Sequence, residues 1–176
     1  MIKTTAFVAV AALAALLLYA ASRPDIFRVQ RSTRIKAPPA AVHALIDDLH
    51  RFNTWNPYEK KDPNVKGAYG GPARGPGAAY EFEGNKDIGK GRLRIVDSKA
   101  PSKVTMQLDM LEPFEGHNLV EFTVLPRGDA TEVTWAMQGA SPFIAKLVGV
   151  FVDMDRMIGR DFEAGLADLK ALAERG

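Results

Sequence analysis

From Ser141 to the C-terminus, Phe143, Leu147, Phe151, Met154, Ile158, Phe162, Leu166, Leu169 and Leu172 recur at steps of three or four residues. That spacing puts them on one side of an α-helix. Ser141 and Pro142 supply a suitable N-cap and first turn. Unbroken, the helix would be about 50 Å long at roughly 1.5 Å per residue, well beyond the usual length of a globular helix. A long apolar face requires a large apolar partner, and the chain before it supplies mostly strands. A curved sheet closed over one long helix encloses a volume that side chains need not fill, so the pattern implies a ligand pocket. Gly149 and Gly159 interrupt the stripe. Glycine costs about 1 kcal/mol relative to alanine inside a helix. Gly149 is therefore a candidate break between a short leading helix and the main one. Gly159 is a candidate site of close approach by the sheet or a ligand.

The strands announce themselves by alternation. Phe27, Val29, Thr33 and Ile35 share one face of a first strand over residues 27–36, with Arg28, Gln30, Ser32, Arg34 and Lys36 on the other. Ala37-Pro38-Pro39 ends it and opens a helix with apolar positions Val42, Leu45, Ile46 and Leu49. The aromatic segment 52–58 reads as a helical turn that breaks down. Residues 62–77 form a Gly- and Pro-rich loop with one short strand near 65–69. Alternating runs follow, including Tyr80 and Phe82; Leu93 and Ile95; Val104, Met106, Leu108 and Met110; Val120, Phe122 and Val124; and Val133, Trp135 and Met137. The turn signals Gly84-Asn85, Ala100-Pro101, Glu115-Gly116 and Arg127-Gly128-Asp129 separate them. Closely spaced strands with such turns predict an antiparallel meander whose apolar face helices must cover. The expected class is α+β: a curved antiparallel sheet of six or seven strands around a long C-terminal helix, with two short helices after the first strand.

The N-terminus reads as a separate object. Residues 4–21 carry no charge and are rich in Ala and Leu, just long enough to span a bilayer as a helix. A cleaved secretory signal is the rival, but its one small-x-small site, Ala20-Ala21-Ser22, is weak and the apolar run is long for a signal. The expectation is a retained or signal-like transmembrane segment over residues 1–25 and one ligand-binding domain over 26–176. Arg23, Arg28, Arg31, Arg34 and Lys36 follow it. By the positive-inside rule they place the domain on the cytoplasmic side, at a bacterial inner membrane, with Lys3 pulling the other way.

Composition closes other routes. A net charge of +2 gives the chain no strong attraction for nucleic acid. The absence of cysteine excludes disulfides, thiolate metal sites and a cysteine nucleophile. Gly84-Asn-Lys-Asp-Ile-Gly89-Lys90 has the spacing of a phosphate-binding P-loop. Its magnesium hydroxyl position is Gly91, however, and it joins two strands where a P-loop needs a following helix, so it is read as a hairpin. His43, His50 and His117 have no zinc-hydrolase spacing and are read as surface residues; no metal or cofactor is implied. No G-x-S-x-G elbow is present.

Several segments carry a family resemblance: Phe27-Arg-Val-Gln-Arg-Ser32, Ile35-Lys-Ala-Pro-Pro39, Trp55-Asn-Pro57, Asp62-Pro63, Gly84-Asn85, Val133-Thr-Trp135 and Met154-Asp-Arg-Met-Ile-Gly159. With the order of elements, they resemble the START-like or Bet v 1-like (SRPBCC) superfamily, the helix-grip fold, in its bacterial polyketide cyclase/dehydrase-like branch. The resemblance covers residues 27 to the end. It implies a cavity between the long helix and the sheet, with the short helices near its mouth. Such a fold hosts lipid transfer, hormone binding, cyclisation and chaperone regulation, so it does not fix the function.

The candidate cavity residues are Arg31, Trp55, Tyr58, Tyr80, Phe82, Met106, Phe122, Trp135, Met137, Met154 and Ile158. The aromatics and methionines suit a deformable apolar wall, although plain core is the commoner role for residues at such spacing. Arg31 falls on the apolar face of the first strand, where a charge is costly unless paired. It meets either a ligand's polar group or an acid such as Glu81 or Glu83, unless a bulge turns it outward. The expected function is a membrane-tethered binding protein for a hydrophobic small molecule or lipid. The alternatives are a polyketide cyclase or aromatase-like enzyme, which lacks a convincing inward acid–base pair, and an interaction module acting on a membrane partner.

Overall fold

A computed structural model describes residues 2–176, the side chains of residues 2–4 and 6 excepted. The chain runs α1 (Ile2–Ala21), β1 (Ile26–Ile35), α2 (Pro39–Ile46), α3 (Leu49–Asn53), a 3-10 turn (Glu59–Lys61) and β2 (Lys66–Gly70). It continues through β3 (Ala79–Glu83), β4 (Lys90–Lys99), β5 (Lys103–Glu112), β6 (Gly116–Arg127), β7 (Ala130–Ala140), α4 (Phe143–Val148) and α5 (Met154–Ala173). The seven strands form one antiparallel sheet in the order β1-β7-β6-β5-β4-β3-β2. Strands β2 to β7 are a meander, and β1 joins it at the β7 edge. Irregularities in β4 between Lys90 and Gly91 and between Ile95 and Asp97 bend the sheet. This is the helix-grip arrangement, and the alternation of apolar residues in each strand is what produces its one buried face.

The Gly84–Lys90 segment is a hairpin connection. Gly84 N–H donates to the Gly89 carbonyl at 2.9 Å, and Gly89 has a φ of 75° that only glycine adopts without cost. Asp48 caps α3 by accepting from the backbone N–H groups of His50 and Arg51. The Trp55 indole N–H donates to the Leu45 carbonyl at 2.9 Å and ties the aromatic segment back onto α2.

Three sequence expectations need correction. The C-terminal stripe is two helices, not one unbroken helix, and the break falls at Gly149, the candidate break in the sequence. Gly149 caps the C-terminus of α4, and the Asp153 side chain accepts from the backbone N–H of Arg156 to start α5. The 20 residues of α5 span about 30 Å at roughly 1.5 Å per residue. Phe143, Phe151 and Met154 lie outside the buried stripe, with 45%, 75% and 40% of their surface exposed. Second, His43 is buried, not on the surface, and its Nε2 lies 3.3 Å from Ser98 Oγ. The short α2 turns that face onto the sheet.

The third correction concerns the N-terminus. Among the described residues, no helix is long and apolar enough to cross a membrane. The start of the expected span, at Thr4, lies outside the described side chains. Its other end is tucked into the domain: Ala20 is fully buried, α1 packs on α4, and Arg23 donates to the Gly149 carbonyl. The expected transmembrane anchor, and the inner-membrane location and orientation derived from it, do not stand.

Candidate functional site

Helix α5 lies mainly along β1, with smaller contacts to α2 and β7. It therefore covers one side of the sheet's inner face more fully than the other. Beneath its C-terminal half the interior is closed. Trp135 stacks on Phe162 with ring centroids 4.1 Å apart and nearly parallel planes, and Trp55 meets Phe52 edge-on at 4.7 Å. Phe122 contacts both tryptophans, and Met106 is fully buried. The close approach of α5 depends on Gly165: a Cβ there would lie 2.8 Å from both Pro57 Cδ and Trp135 Cζ3. Four of the sequence candidates, Trp55, Met106, Phe122 and Trp135, thus sit in close-packed core. One polar atom is left over, because Trp135 Nε1 has no hydrogen-bond partner among the described residues.

The other end is different. The sheet register aligns Phe27 with Gly139, Gly139 with Asn118, and Asn118 with Leu108. The next row aligns Met110 with Gly91 and Gly91 with Phe82. Phe27, Asn118, Leu108, Met110 and Phe82 are all only half-buried, and Met137 lies behind them on the same face. Tyr58 and Ile158 are also half-buried and pack against the core. Asn118 fills the space above Gly139, where a Cβ would lie 2.0 Å from its Oδ1. Its side-chain amide makes no hydrogen bond among the described residues. A cavity of about 600 Å³ opens beside this end, between the start of β1, α4, residues 149–153 (the hook) and the start of α5. Phe27, Val29 and Met154 form part of its wall, together with Arg23 and Lys146.

Arg31 marks the boundary between the two ends. It does face inward, and its guanidinium rests against Gly159, where a Cβ would lie 2.0 Å from Nη2. Its partners are Asp155 at 2.9 Å and Glu163 at 2.8 Å, both on α5. Glu81 and Glu83 instead pair with Arg92 and Lys90. Nε donates to Glu163, Nη1 to the Gln30 carbonyl and Asp155, and Nη2 to the Asp155 carboxylate and carbonyl. A guanidinium has five N–H donors, so none remains for a ligand. Hydrogen bonds to Asp155 and then Glu163 raise the Arg31 pKa further. The Arg31 hydrogen bond in turn holds the Asp155 carboxyl below the usual range.

Two further titratable groups, Tyr58 and Glu59, lie on the turn after α3, and Tyr80 of β3 is close to Glu59. Burial, then Asp161, pushes the Tyr58 phenol up; Asp161 also pairs with Lys61 at 2.6 Å. Tyr80 is buried, and burial followed by the neighbouring Glu59 carboxyl raises its phenol. Burial also raises the Glu59 carboxyl, although the Tyr80 hydroxyl lowers it in part. Among the described residues no cluster of His, Cys, Asp and Glu suits a metal ion.

Sequence reasoning missed Arg23, Phe27, Glu59, Leu108, Asn118 and Lys146 as site residues. Lys146 left a signal: it is the one charge in the apolar run 142–152. Asn118 left a weaker one, as a polar residue in register with Val120 and Phe122.

A family model described as polyketide cyclase / dehydrase and lipid transport matches residues 27–174. The chain belongs to that family. Among solved structures, a Chromobacterium violaceum protein aligns with a TM-score of 0.60 and 17% identity, over 86% of this chain and 99% of that one. The ginseng major latex-like protein 151 from Panax ginseng gives 0.61 and 14% over 85% and 99%. The Aha1 dimer from Colwellia psychrerythraea gives 0.59 and 15% over 84% and 96%. At these identities the structures establish the fold alone. None of the curated proteins matches the chain. Family and fold together make this a hydrophobic-ligand-binding fold in a family that spans cyclase, dehydrase and lipid-transport members.

Proposed function

We propose that this family member binds a hydrophobic small molecule at the open end of its inner face. The observation that carries the reading is the half-buried apolar row of Phe27, Leu108, Met110 and Phe82 around the unpartnered Asn118 amide, beside a cavity of about 600 Å³. Small-molecule sites are commonly concave, apolar and roughly 300–1,000 Å³, with a few polar groups that fix orientation. Met137, Met154, Ile158 and Tyr58 extend the wall, and methionine lets it adjust to shape. Trp55, Met106, Phe122 and Trp135 form the rigid floor. Arg31 clamps β1 to α5 and leaves the ligand's polar contacts to Asn118.

The test uses the full chain and phenyl-naphthylamine, an uncharged fluorescent hydrophobe. Leu108→Trp fills the open end, and Val96→Trp adds the same bulk at an exposed position elsewhere on the sheet. Saturable binding to the parent, weakened about tenfold by Leu108→Trp and unchanged by Val96→Trp, is expected. Absence of saturable binding, or equal loss in both variants, sinks the reading.

A second reading, a cyclase-type enzyme, draws on the inward Glu59–Tyr80 pair. Burial keeps a larger fraction of the Glu59 carboxyl protonated than in a solvated glutamate, which suits a general acid. Turnover of a model polyketone that disappears in Tyr80→Phe would support it. The half-buried apolar row and the adjoining cavity make up more of the site than this one pair does, so binding is the better supported reading.

A further inference from the structure

The hook cavity holds a charge arrangement that the packing of the fold does not require. Lys146 of α4 has a side chain only 9% exposed, in a run that is otherwise apolar. Its Nζ donates to Asp25 Oδ1 at 2.5 Å, and the Asp25 side chain is 94% exposed. The pair is therefore lopsided. The ammonium has lost its water and must keep an anion, whereas the carboxylate keeps its water and leaves at little cost. An ammonium has three donors, and this one has used a single donor on Asp25. Arg23 stands in the same wall with one N–H on the Gly149 carbonyl and its other donors unused among the described residues. Val150, Phe151, Val152 and Met154 line an apolar side of the cavity that reaches the inner-face residues Phe27 and Val29. Two carboxylates also border it, and both are engaged: Asp155 pairs with Arg31, and Asp153 accepts from the backbone N–H of Arg156.

We propose that this cavity takes an amphiphile carrying a carboxylate, with the head group on Lys146 and Arg23 in the place of Asp25 and the apolar tail running past Phe27 toward the open end of the sheet. The inference rests on the binding site proposed above and names its ligand class. A carboxylate is the anion specified because a carboxylate already occupies the position. Exchange keeps the buried ammonium paired throughout and adds a second cation, Arg23, that Asp25 does not engage. It also buries the tail, which Asp25 does not have.

Isothermal titration of the full chain below the micellar range, with dodecanoate and with dodecanol, tests this. The parent should bind dodecanoate about tenfold or more tightly than dodecanol, as expected for a charge-assisted contact in a partly dry site. Asp25→Asn keeps the side chain's shape while removing the competing carboxylate, and should tighten dodecanoate several-fold while leaving dodecanol unchanged. Because it also leaves the Lys146 ammonium without its anion, the thermal midpoint of the variant is read first, and dodecanoate should raise it more than dodecanol does. Lys146→Met should abolish the preference for the acid. Equal affinities for the two probes, or weaker dodecanoate binding in Asp25→Asn, overturns the inference. If dodecanol binds and dodecanoate gains nothing, the hydrophobic site survives without its anionic head group; if neither binds, both proposals fail.

Discussion

The two ends of the inner face are built from similar residue types and behave differently. At the closed end, Trp135, Phe162, Phe122 and Trp55 interlock, and each is at most 3% exposed. At the open end Phe82, Leu108 and Met110 are half-buried, and Phe151 on the hook is 75% exposed. Both ends use glycine to admit a neighbour. Gly165 brings α5 against Trp135 and Pro57, while Gly139 only makes room for the Asn118 side chain. Hydrophobic composition therefore does not decide whether a wall is core or site; the presence of an opposing element does. Helix α5 follows β1, and the inner face farther along the sheet has no equivalent cover from it.

The comparison makes its largest prediction at paired phenylalanines. Phe162→Ala opens a void in the close-packed end and should cost about 3–5 kcal/mol. Phe151→Ala removes the same side chain from the exposed hook and should stay within about 0.5 kcal/mol. Urea denaturation of both variants measures this, and similar losses would erase the distinction between the two ends.

A smaller effect is expected at Gly165. Alanine there must displace Pro57 Cδ or Trp135 Cζ3, each 2.8 Å from the new Cβ. Overpacking of this kind costs about 1–3 kcal/mol, of which the better helix propensity of alanine returns about 1 kcal/mol. A net loss is expected, read from the thermal midpoint. A gain in stability would mean that the closed end has slack, and that the ligand space extends under α5.

Much of the fold could be read from spacing because strand alternation is a local property. Val104 and Met106, or Val133 and Trp135, show their inward face without reference to any distant residue. The hook could be read only in part: Gly149 marked a candidate break, but the exposure of the residues after it had no local signal. Phe151 and Met154 continue the three-and-four spacing of the stripe although Gly149 and Asp153 divide it into two helices, because a periodic pattern records which side a residue is on and not whether anything covers that side. Lys146 shows in the sequence as the lone charge of its run, but its partner does not, because Asp25 lies 121 positions away. Arg31 was legible as an inward charge. Its partners were not, since Asp155 and Glu163 reach it only once α5 lies along β1. The apolar run at the N-terminus illustrates the limit most plainly, because its last turn finds a partner in α4 that its composition does not reveal.

The smallest predicted effect lies at the boundary between the ends, where Arg31 joins β1 to the start of α5. Its carboxylate partners are about three-fifths exposed, at 60% for Asp155 and 61% for Glu163, so solvent screens the pair and its contribution is modest. The direction is nevertheless fixed. The Arg31 hydrogen bond lowers the folded-state pKa of Asp155 from its ordinary 3.8. A carboxyl with a depressed folded pKa contributes stability that is fully present above the unfolded value and is lost as pH falls through the folded one. Arg31→Met removes the cation, and with it the reason for the depression. The parent should therefore be more stable than the variant at neutral pH, and the gap should narrow as pH is taken from about 5 to about 2. Denaturation midpoints of the two proteins across that range provide the measurement, with added salt reducing the gap at the upper end. A gap that stays constant with pH would show that Arg31 holds the boundary by packing its guanidinium on Gly159 and not by its charge. In that case Arg31 belongs with the closed end of the interior, and the open end begins beyond it.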